Sequence, residues 1–361
     1  MRRSDVPTPA LLVDIDILDR NIALMRDAAA QLGVKLRPHA KAHKCVEVGQ
    51  RIMAAGAAGL SCATIGEAEA MALGGIGGIL LTAPLTSPDA LQRLSRLLLR
   101  GADIAVIADH PASLAELSAV AKGAGRRLEI LVDVDVGMGR TGCLEIADAV
   151  ALARKVAADP ALSYAGIQAY WGNLQHVSPF AERARLIAVQ AERVRAVIAA
   201  LGAAGLPPAV VSGGGTGSHR IDAATGLFTE IQPGSYLFMD SCYGAISISE
   251  NDNPFAPSLF VAASVVSANK PGRVVVNAGW KAFAADSGKP VALRGGPPGA
   301  QFRFMGDEHG ALDFEGEGGP ALGSTIEFLT SHCDPTVNLY HAFHVVRGDE
   351  VIDIWPIRAR Y

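Results

Sequence analysis

From residue 10 to about residue 240, short runs that are apolar throughout alternate with longer stretches of helical period. LLVDID is the first run, and DILDRNIALMRDAAAQLG after it puts Leu18, Ile22, Met25, Ala29 and Leu32 on one helix face. The runs KLRPHAK, GLSCAT, GILLTA, DIAVIAD, LEILVDVDVG, YAGIQAYWG, AVVSGGG and EIQPGSYLF follow. Between most of them lie alanine-rich helical segments, such as 111–124, 144–158 and 180–204. A strand without polar alternation is buried on both faces, which points to a parallel sheet. About eight such units predict an α/β fold with a (β/α)8 barrel over residues 10–250. Beyond about residue 255 the helical period vanishes. SLFVAASVVSA, GRVVVNAG, STIEFLTS, HAFHVVRG and EVIDIWPI read as strands, which predicts an all-β domain over 251–361, joined by residues 1–9. GGPPG and EGEGGP are loops inside it.

Composition adds bounds. The 361 residues exceed the usual length of one domain, in keeping with two, and at 50% hydrophobic and 19% charged they can build a large core. A net charge of −4 gives no reason to bind nucleic acid or an anionic membrane, which leaves small molecules as the expected partners. Asp5, Pro7, Pro9, Asp14 and Asp16 break up the apolar character of the N-terminus, so no signal peptide is expected. No apolar stretch approaches the ~20 residues of a membrane span. Five cysteines, scattered and without a CxxC pair, fit reduced thiols in a cytoplasm.

Candidate chemistry gathers where strands end, because the βα loops of such barrels form the site there. Lys41 ends its run in RPHAKAHK; an apolar setting would weaken its preference for charge and suit it to Schiff-base formation, while the plain alternative is a solvated loop lysine. VVSGGGTGSHR offers clustered backbone N–H groups of the kind that cradle phosphate, or simply a tight turn. QPGSY adds Gly234 and Ser235 on the same rim. VDVDVGMGRTG sets Arg140 in a glycine-lined bend, as an anion contact or a rim salt bridge. QAYWGNLQH brings Tyr170, Asn173, Gln175 and His176, the last of which is otherwise an ordinary structural histidine. In the β domain, His332 and Asp334 of SHCDPTVN are two apart, a spacing that in extended chain puts both on one face and Cys333 on the other. An imidazole and a carboxylate suit Zn²⁺ or Mn²⁺ with coordination positions left open, though an Asp before Pro335 also forms turns. DEHG at 307–310 is either another polar loop or a further contribution to that pocket.

Taken in order, TPALLVDID, RPHAKAHK, VDVGMGRTG, QAYWGNLQH, SGGGTG, EIQPGSYLFMD, NAGWKAFAADSG, DEHG and HCDPTVNLY resemble the D-threonine aldolase and D-serine dehydratase group of pyridoxal-phosphate enzymes, across nearly the whole chain. The resemblance implies an alanine-racemase-like barrel followed by a β domain. It implies that Lys41, and not Lys44, carries the Schiff base, with Arg140 near the cofactor's phenolic oxygen and Tyr170 beside its ring. It further implies Gly215, Thr216, Gly234 and Ser235 around the phosphate, His332 and Asp334 holding a divalent cation (Mn, Zn or Mg), and a homodimer with sites at the subunit boundary. Gln232 stands where alanine racemase has the arginine that faces the ring nitrogen, which disfavours racemisation. His332-Cys333-Asp334 matches the His-x-Asp pair typical of the aldolases, whereas the dehydratases have His-x-Cys. The expected reaction is reversible cleavage of a D-3-hydroxy amino acid to glycine and an aldehyde, with His176 as the candidate base. The alternatives are dehydration to a 2-oxo acid and ammonia, and cofactor binding without turnover. His39, His43, His309 and His341 receive no role.

Overall fold

The computed structural model describes residues 1–249, 252–316 and 318–360. Two sheets organise it. Strand β1 (Ala10–Asp14) leads into the helix Ile15–Leu32, which begins where the Asp14 carboxylate accepts the Ile17 N–H and ends at Gly33, whose φ of +69° suits a residue without Cβ. Leu18, Ile22, Met25 and Ala29 form its buried face, as the 3.6-residue period predicts.

Eight parallel strands follow, namely β2 (Lys35–Leu36), β3 (Ser61–Cys62), β4 (Ile79–Leu81), β5 (Ile104–Ala108), β6 (Leu128–Val134), β7 (Leu162–Ala169), β8 (Val210–Gly213) and β9 (Glu230–Ile231). Their order is β2-β9-β8-β7-β6-β5-β4-β3. The ring closes beyond β2, where the Ala58 and Ser61 N–H groups donate to Leu36 and Pro38 carbonyls at 2.8 and 2.9 Å and His39 bridges Ser61. This is the expected barrel. Its strands are the eight runs from KLRPHAK to EIQPGSYLF.

The run expected to open the barrel lies elsewhere. β1 is flanked in the second sheet by β10 (Leu259–Lys270), antiparallel, and β16 (Ala342–Arg347), parallel. Leu11 and Val13 join the main core, while Ala10 and Leu12 pack on Val6, Phe260, Ala262 and Val346. A central strand of a covered mixed sheet is as apolar on both faces as a barrel strand, so the pattern alone does not separate them. The rest of this sheet comprises β11 (Arg273–Val276), β12 (Val291–Arg294), β13 (Gln301–Phe304), β14 (Gly310–Asp313), β15 (Thr325–Leu329) and β17 (Glu350–Pro356). β12, β13 and β14 are short and lie between Gly- and Pro-rich turns, which hid them from the pattern. The boundary expected at 250/251 lies outside the described residues, as does Glu317 of EGEGGP.

Polar contacts fasten the β1 region to the barrel's exit. The Asn21 side chain donates to the Leu237 and Ala256 carbonyls, and Asp14 N–H donates to Ser258 O. Arg3 forms a buried bidentate pair with Glu327 of β15. Among the described residues no helix is long and apolar enough to cross a membrane.

Because Leu12 is fully buried on the face of β1 away from the main core, Leu12→Ala should cost about 2–5 kcal/mol in denaturant unfolding. A cost below ~0.5 kcal/mol would mean that this face is open to solvent.

Candidate active site

A cavity of about 240 Å³ opens where the barrel strands end. Lys41 enters it after β2, Arg140 after β6, Tyr170 after β7, Gly214 to Thr216 after β8, and Gly234 and Ser235 after β9. His176, His332 and Asp334 are not among its lining residues, although Asp334 reaches Lys41.

Lys41 sits in a single 3₁₀ turn, Ala40–Ala42, rather than at a strand end, with its N–H donated to His39 Nδ1 at 3.4 Å. His39 Nε2 meets Thr82 Oγ1 at 3.2 Å, and that hydroxyl donates to Cys62 O. His39 therefore carries its proton on Nε2, and burial together with the charge of Lys41 keeps its imidazole well below its ordinary pKa. Lys41 Nζ lies 3.6 Å from Asp334 Oδ2. Burial pulls the amine's pKa down, but Asp334 and Tyr170 pull it up further, and the net shift is upward. The expectation of an apolar setting that weakens the charge is thus corrected: an acidic neighbour keeps the ammonium charged.

Lys44 is positioned very differently. It is buried at φ +50°, with Nζ 2.6 Å from Glu67 Oε1 and 3.3 Å from Ala359 O. His43 is buried too, and burial lowers its imidazole to about 4. Of the two lysines in RPHAKAHK, only Lys41 lines the cavity.

The loop after β6 bends around Asp135, whose Oδ1 accepts the N–H groups of Gly137, Met138 and Gly139 at 2.9 to 3.1 Å. The bend carries Arg140 to 5.7 Å from the Tyr170 ring centroid, a cation–π contact. Burial raises the Tyr170 hydroxyl against the opposing charges of Lys41 and Arg140.

The glycine loop after β8 is braced from behind. Asp222, buried and raised by that burial to about 7, accepts from Trp171 Nε1 at 2.8 Å, Ser218 Oγ at 2.5 Å and Gly215 N at 3.3 Å. Gln175 receives the Gly217 N–H and donates to Ser218 Oγ. Gly214 takes φ +71°, which favours glycine, and a Cβ on Gly215 would displace the Gln175 amide, with Oε1 at 2.5 Å. Thr216 Oγ1 accepts the Tyr236 N–H, which ties this loop to the Gly234–Ser235 loop. The N–H groups of Thr216 and Ser235 have no protein acceptor among the described residues. Two unpaired donors on adjacent loops, both lining the cavity, form an anion cradle.

His332 has extended backbone, but Asp334 lies in a helix, so the two do not share one extended run. Cys333–Val337 is a short helix with His332 as its N-cap, and Cys333 N–H donates to Asp240 Oδ2 at 3.0 Å. Pro335 is tolerated in this first turn because its missing N–H is not needed there, and Asp334 suits the N-terminal end. Cys333 is nonetheless fully buried, away from solvent. His332 Nδ1 meets Asp286 Oδ2 at 2.6 Å. No cluster of three or more His, Cys, Asp or Glu arranged to hold a metal occurs among the described residues. The donor set therefore suits at most a two-ligand site, one nitrogen and one oxygen, with other positions left to water or substrate.

His176 is exposed beside the cavity, its ring 4.2 Å from that of Tyr243. Partial desolvation and the charges of His332 and Arg183 lower its pKa. DEHG is not part of this pocket: Asp307 and Glu308 pair with Lys281. His341 bonds Arg360 at an exposed position. Thr82, Gln168 and Tyr243 also line the cavity and were missed. The first two are polar residues ending apolar runs, a signal the sequence did carry; Tyr243 follows the last rim loop and carried none.

Known proteins resemble this arrangement throughout. The family profile "Alanine racemase, N-terminal domain" matches residues 13–242, and a serine dehydratase domain profile matches 258–346. A 3-hydroxy-D-aspartate aldolase of Paracoccus denitrificans (strain Pd 1222) is 38% identical over 366 residues, covering 100% of this chain and 94% of its own. A D-threonine aldolase of an Arthrobacter species is 41% identical over 359 residues, covering 98% and 93%. The crystal structure of D-threonine aldolase from Filomicrobium marinum superposes with a TM-score of 0.95 at 38% identity, covering 100% of this chain and 97% of that one.

Removing a buried partner exposes the difference between the two lysines. Lys44→Ala leaves the buried Glu67 carboxylate without its cation and should cost about 3–5 kcal/mol in urea unfolding. Lys41→Ala should cost less than ~1 kcal/mol, because its pair with Asp334 is long and the lysine side chain is partly exposed. Equal losses would contradict the distinct settings of Lys41 and Lys44.

Proposed function

This chain belongs to the D-threonine aldolase and D-serine dehydratase family, built on the alanine-racemase fold, and on that premise we propose that it cleaves D-3-hydroxy amino acids reversibly to glycine and an aldehyde, using pyridoxal phosphate and a divalent cation. The observation that carries this reading is the meeting of Lys41 from the barrel with Asp334 from the β domain, 3.6 Å apart. An amine able to hold a carbonyl cofactor stands beside a carboxylate able to hold a cation.

The residues fit both groups. Lys41 holds the cofactor covalently, the N–H groups of Thr216 and Ser235 in the Gly215–Thr216 and Gly234–Ser235 loops receive its phosphate, Arg140 receives its phenolic oxygen, and Tyr170 packs beside its ring. His332 and Asp334 hold the cation, which is Mn, Zn or Mg. When bound, pyridoxal phosphate accepts the electrons of the broken Cα–Cβ bond and the cation acidifies the substrate's hydroxyl. His176 takes the hydroxyl proton onto its ring, directly or through water; its lowered pKa keeps it neutral, and so able to accept a proton, near pH 7. We read the enzyme as a homodimer, in line with the resemblance, and as residing in a reducing cytoplasm, in line with five free cysteines.

Product analysis tests the reading. D-Threonine, D-phenylserine, D-3-hydroxyaspartate or D-serine, supplied with pyridoxal phosphate and Mn²⁺, should yield glycine and the matching aldehyde from at least one of them. A 2-oxo acid and ammonia would identify a dehydratase instead. Chelation should abolish cleavage and leave the visible absorbance of the lysine-bound cofactor in place, since its contacts come from the barrel. Asp334→Ala should behave in the same way. Cleavage that survives the chelator would remove the cation from the mechanism.

A further inference from the structure

A chain of hydrogen bonds runs from Arg37 to the cavity, and it dictates which end of one amide faces inward. Arg37 grips Glu230 of β9 through Nε at 2.7 Å and through its second guanidinium nitrogen at 2.9 Å, so that carboxylate is ionised and acts only as an acceptor. Ser212 of β8 lies 2.6 Å from Glu230 Oε1 and must therefore donate its hydroxyl proton to it. Its oxygen is left free to accept. Gln232, at the exit of β9, meets that oxygen at 2.7 Å, and only an N–H can fill the contact. The same nitrogen lies 3.4 Å from Gln168 Oε1. Gln168 is itself oriented, because its Nε2 donates at 3.0 Å to Asp133 Oδ1 while Thr141 donates to Asp133 Oδ2.

Both amide hydrogens of Gln232 are thus committed within the barrel. Gln232 lines the cavity, and what remains to face the occupant is its carbonyl oxygen, an acceptor. Pyridoxal phosphate has four polar points. The phosphate has the Thr216 and Ser235 N–H groups, the carbonyl carbon has Lys41, and the phenolic oxygen has Arg140. The ring nitrogen remains, and an acceptor opposite it is satisfied only by an N–H.

We propose that Gln232 presents its carbonyl oxygen to the ring nitrogen of pyridoxal phosphate and holds that nitrogen in its protonated N–H form, with Ser212, Glu230 and Arg37 fixing the amide's orientation. This rests on the reading that the cofactor occupies the cavity with its ring beside Lys41. A protonated ring withdraws electrons more strongly than a neutral one, which suits a reaction that leaves a pair of electrons on Cα. An unanchored amide would be free to turn either end inward; this one is clamped.

The test reads the resting enzyme and needs no turnover. Apoprotein is loaded with pyridoxal phosphate labelled with ¹⁵N in the ring, and the nitrogen's chemical shift is recorded for wild type, Gln232→Leu and Gln232→Glu. Wild type and Gln232→Glu, which both offer an acceptor, should give a pyridinium signal, and Gln232→Leu a neutral pyridine signal. In a second measurement, wild-type apoprotein should bind the 1-deaza analogue, which lacks the N–H, about tenfold more weakly than the natural cofactor, equivalent to ~1.4 kcal/mol. A neutral pyridine signal in wild type overturns the proposal, as does a pyridinium signal that persists in Gln232→Leu or equal affinity for the analogue. Failure of wild type to develop the visible absorbance of a lysine-bound cofactor overturns the underlying reading instead, and the proposal with it.

Discussion

The buried pair between Lys44 and Glu67 is the constraint from which the site's geometry follows. Glu67 accepts from Lys44 Nζ through one oxygen and from the Ala63 N–H through the other, each at 2.6 Å. Lys44 O in turn accepts the N–H groups of Arg358 and Ala359 from the C-terminal segment. The Lys44–Glu67 pair thus joins the turn after β2 and the exit of β3 through the carboxylate, and the end of the β domain through Lys44. An ion pair in this position is a costly way to gain stability, since both charges lose their water, but removing Lys44 leaves the buried Glu67 carboxylate without its cation. Such a pair specifies geometry. With Lys44 locked into the wall at φ +50°, the turn that precedes it directs Lys41 into the cavity.

The second domain takes part in the site through Asp240, at the barrel's exit. One oxygen of Asp240 caps the turn that carries Tyr243, and the other receives the Cys333 N–H at the start of the helix bearing Asp334. Barrel and β domain are therefore registered to each other at the point where Lys41 and Asp334 approach. β1 contributes from the opposite end: placed centrally in the second sheet, it delivers the helix Ile15–Leu32, whose Asn21 holds the backbone at Leu237 and Ala256. The domains are separate sheets that share one core.

What the sequence made legible was what is local and periodic. The eight barrel runs, the face of the helix Ile15–Leu32 and the strand-end positions of Arg140, Tyr170 and Thr216 all follow from spacing and from the rule that such sites gather at strand ends. What escaped depends on contacts distant in the chain. LLVD reads the same whether its neighbours are barrel strands or β10 and β16. The helix at Cys333–Val337 is held by Asp240, 93 residues earlier, and nothing in HCDPTV announces that partner. Lys41 and Lys44 differ by which carboxylate each meets across the fold, Asp334 beside the cavity or the buried Glu67, and the amide orientation of Gln232 is settled by Arg37, Glu230 and Ser212 on three different strands or loops. The family resemblance selected Lys41 where local pattern left the choice open.

This fold delivers Lys41, and no other amine, to the carbonyl of a cofactor in the barrel mouth. The most direct test is chemical trapping: the protein is incubated with pyridoxal phosphate, reduced with borohydride, digested, and the modified peptide sequenced by mass spectrometry. One stable pyridoxyl group per chain is expected, on Lys41. A label on Lys44, or labels distributed over surface lysines such as Lys122 and Lys281 with Lys41 unmodified, would contradict it.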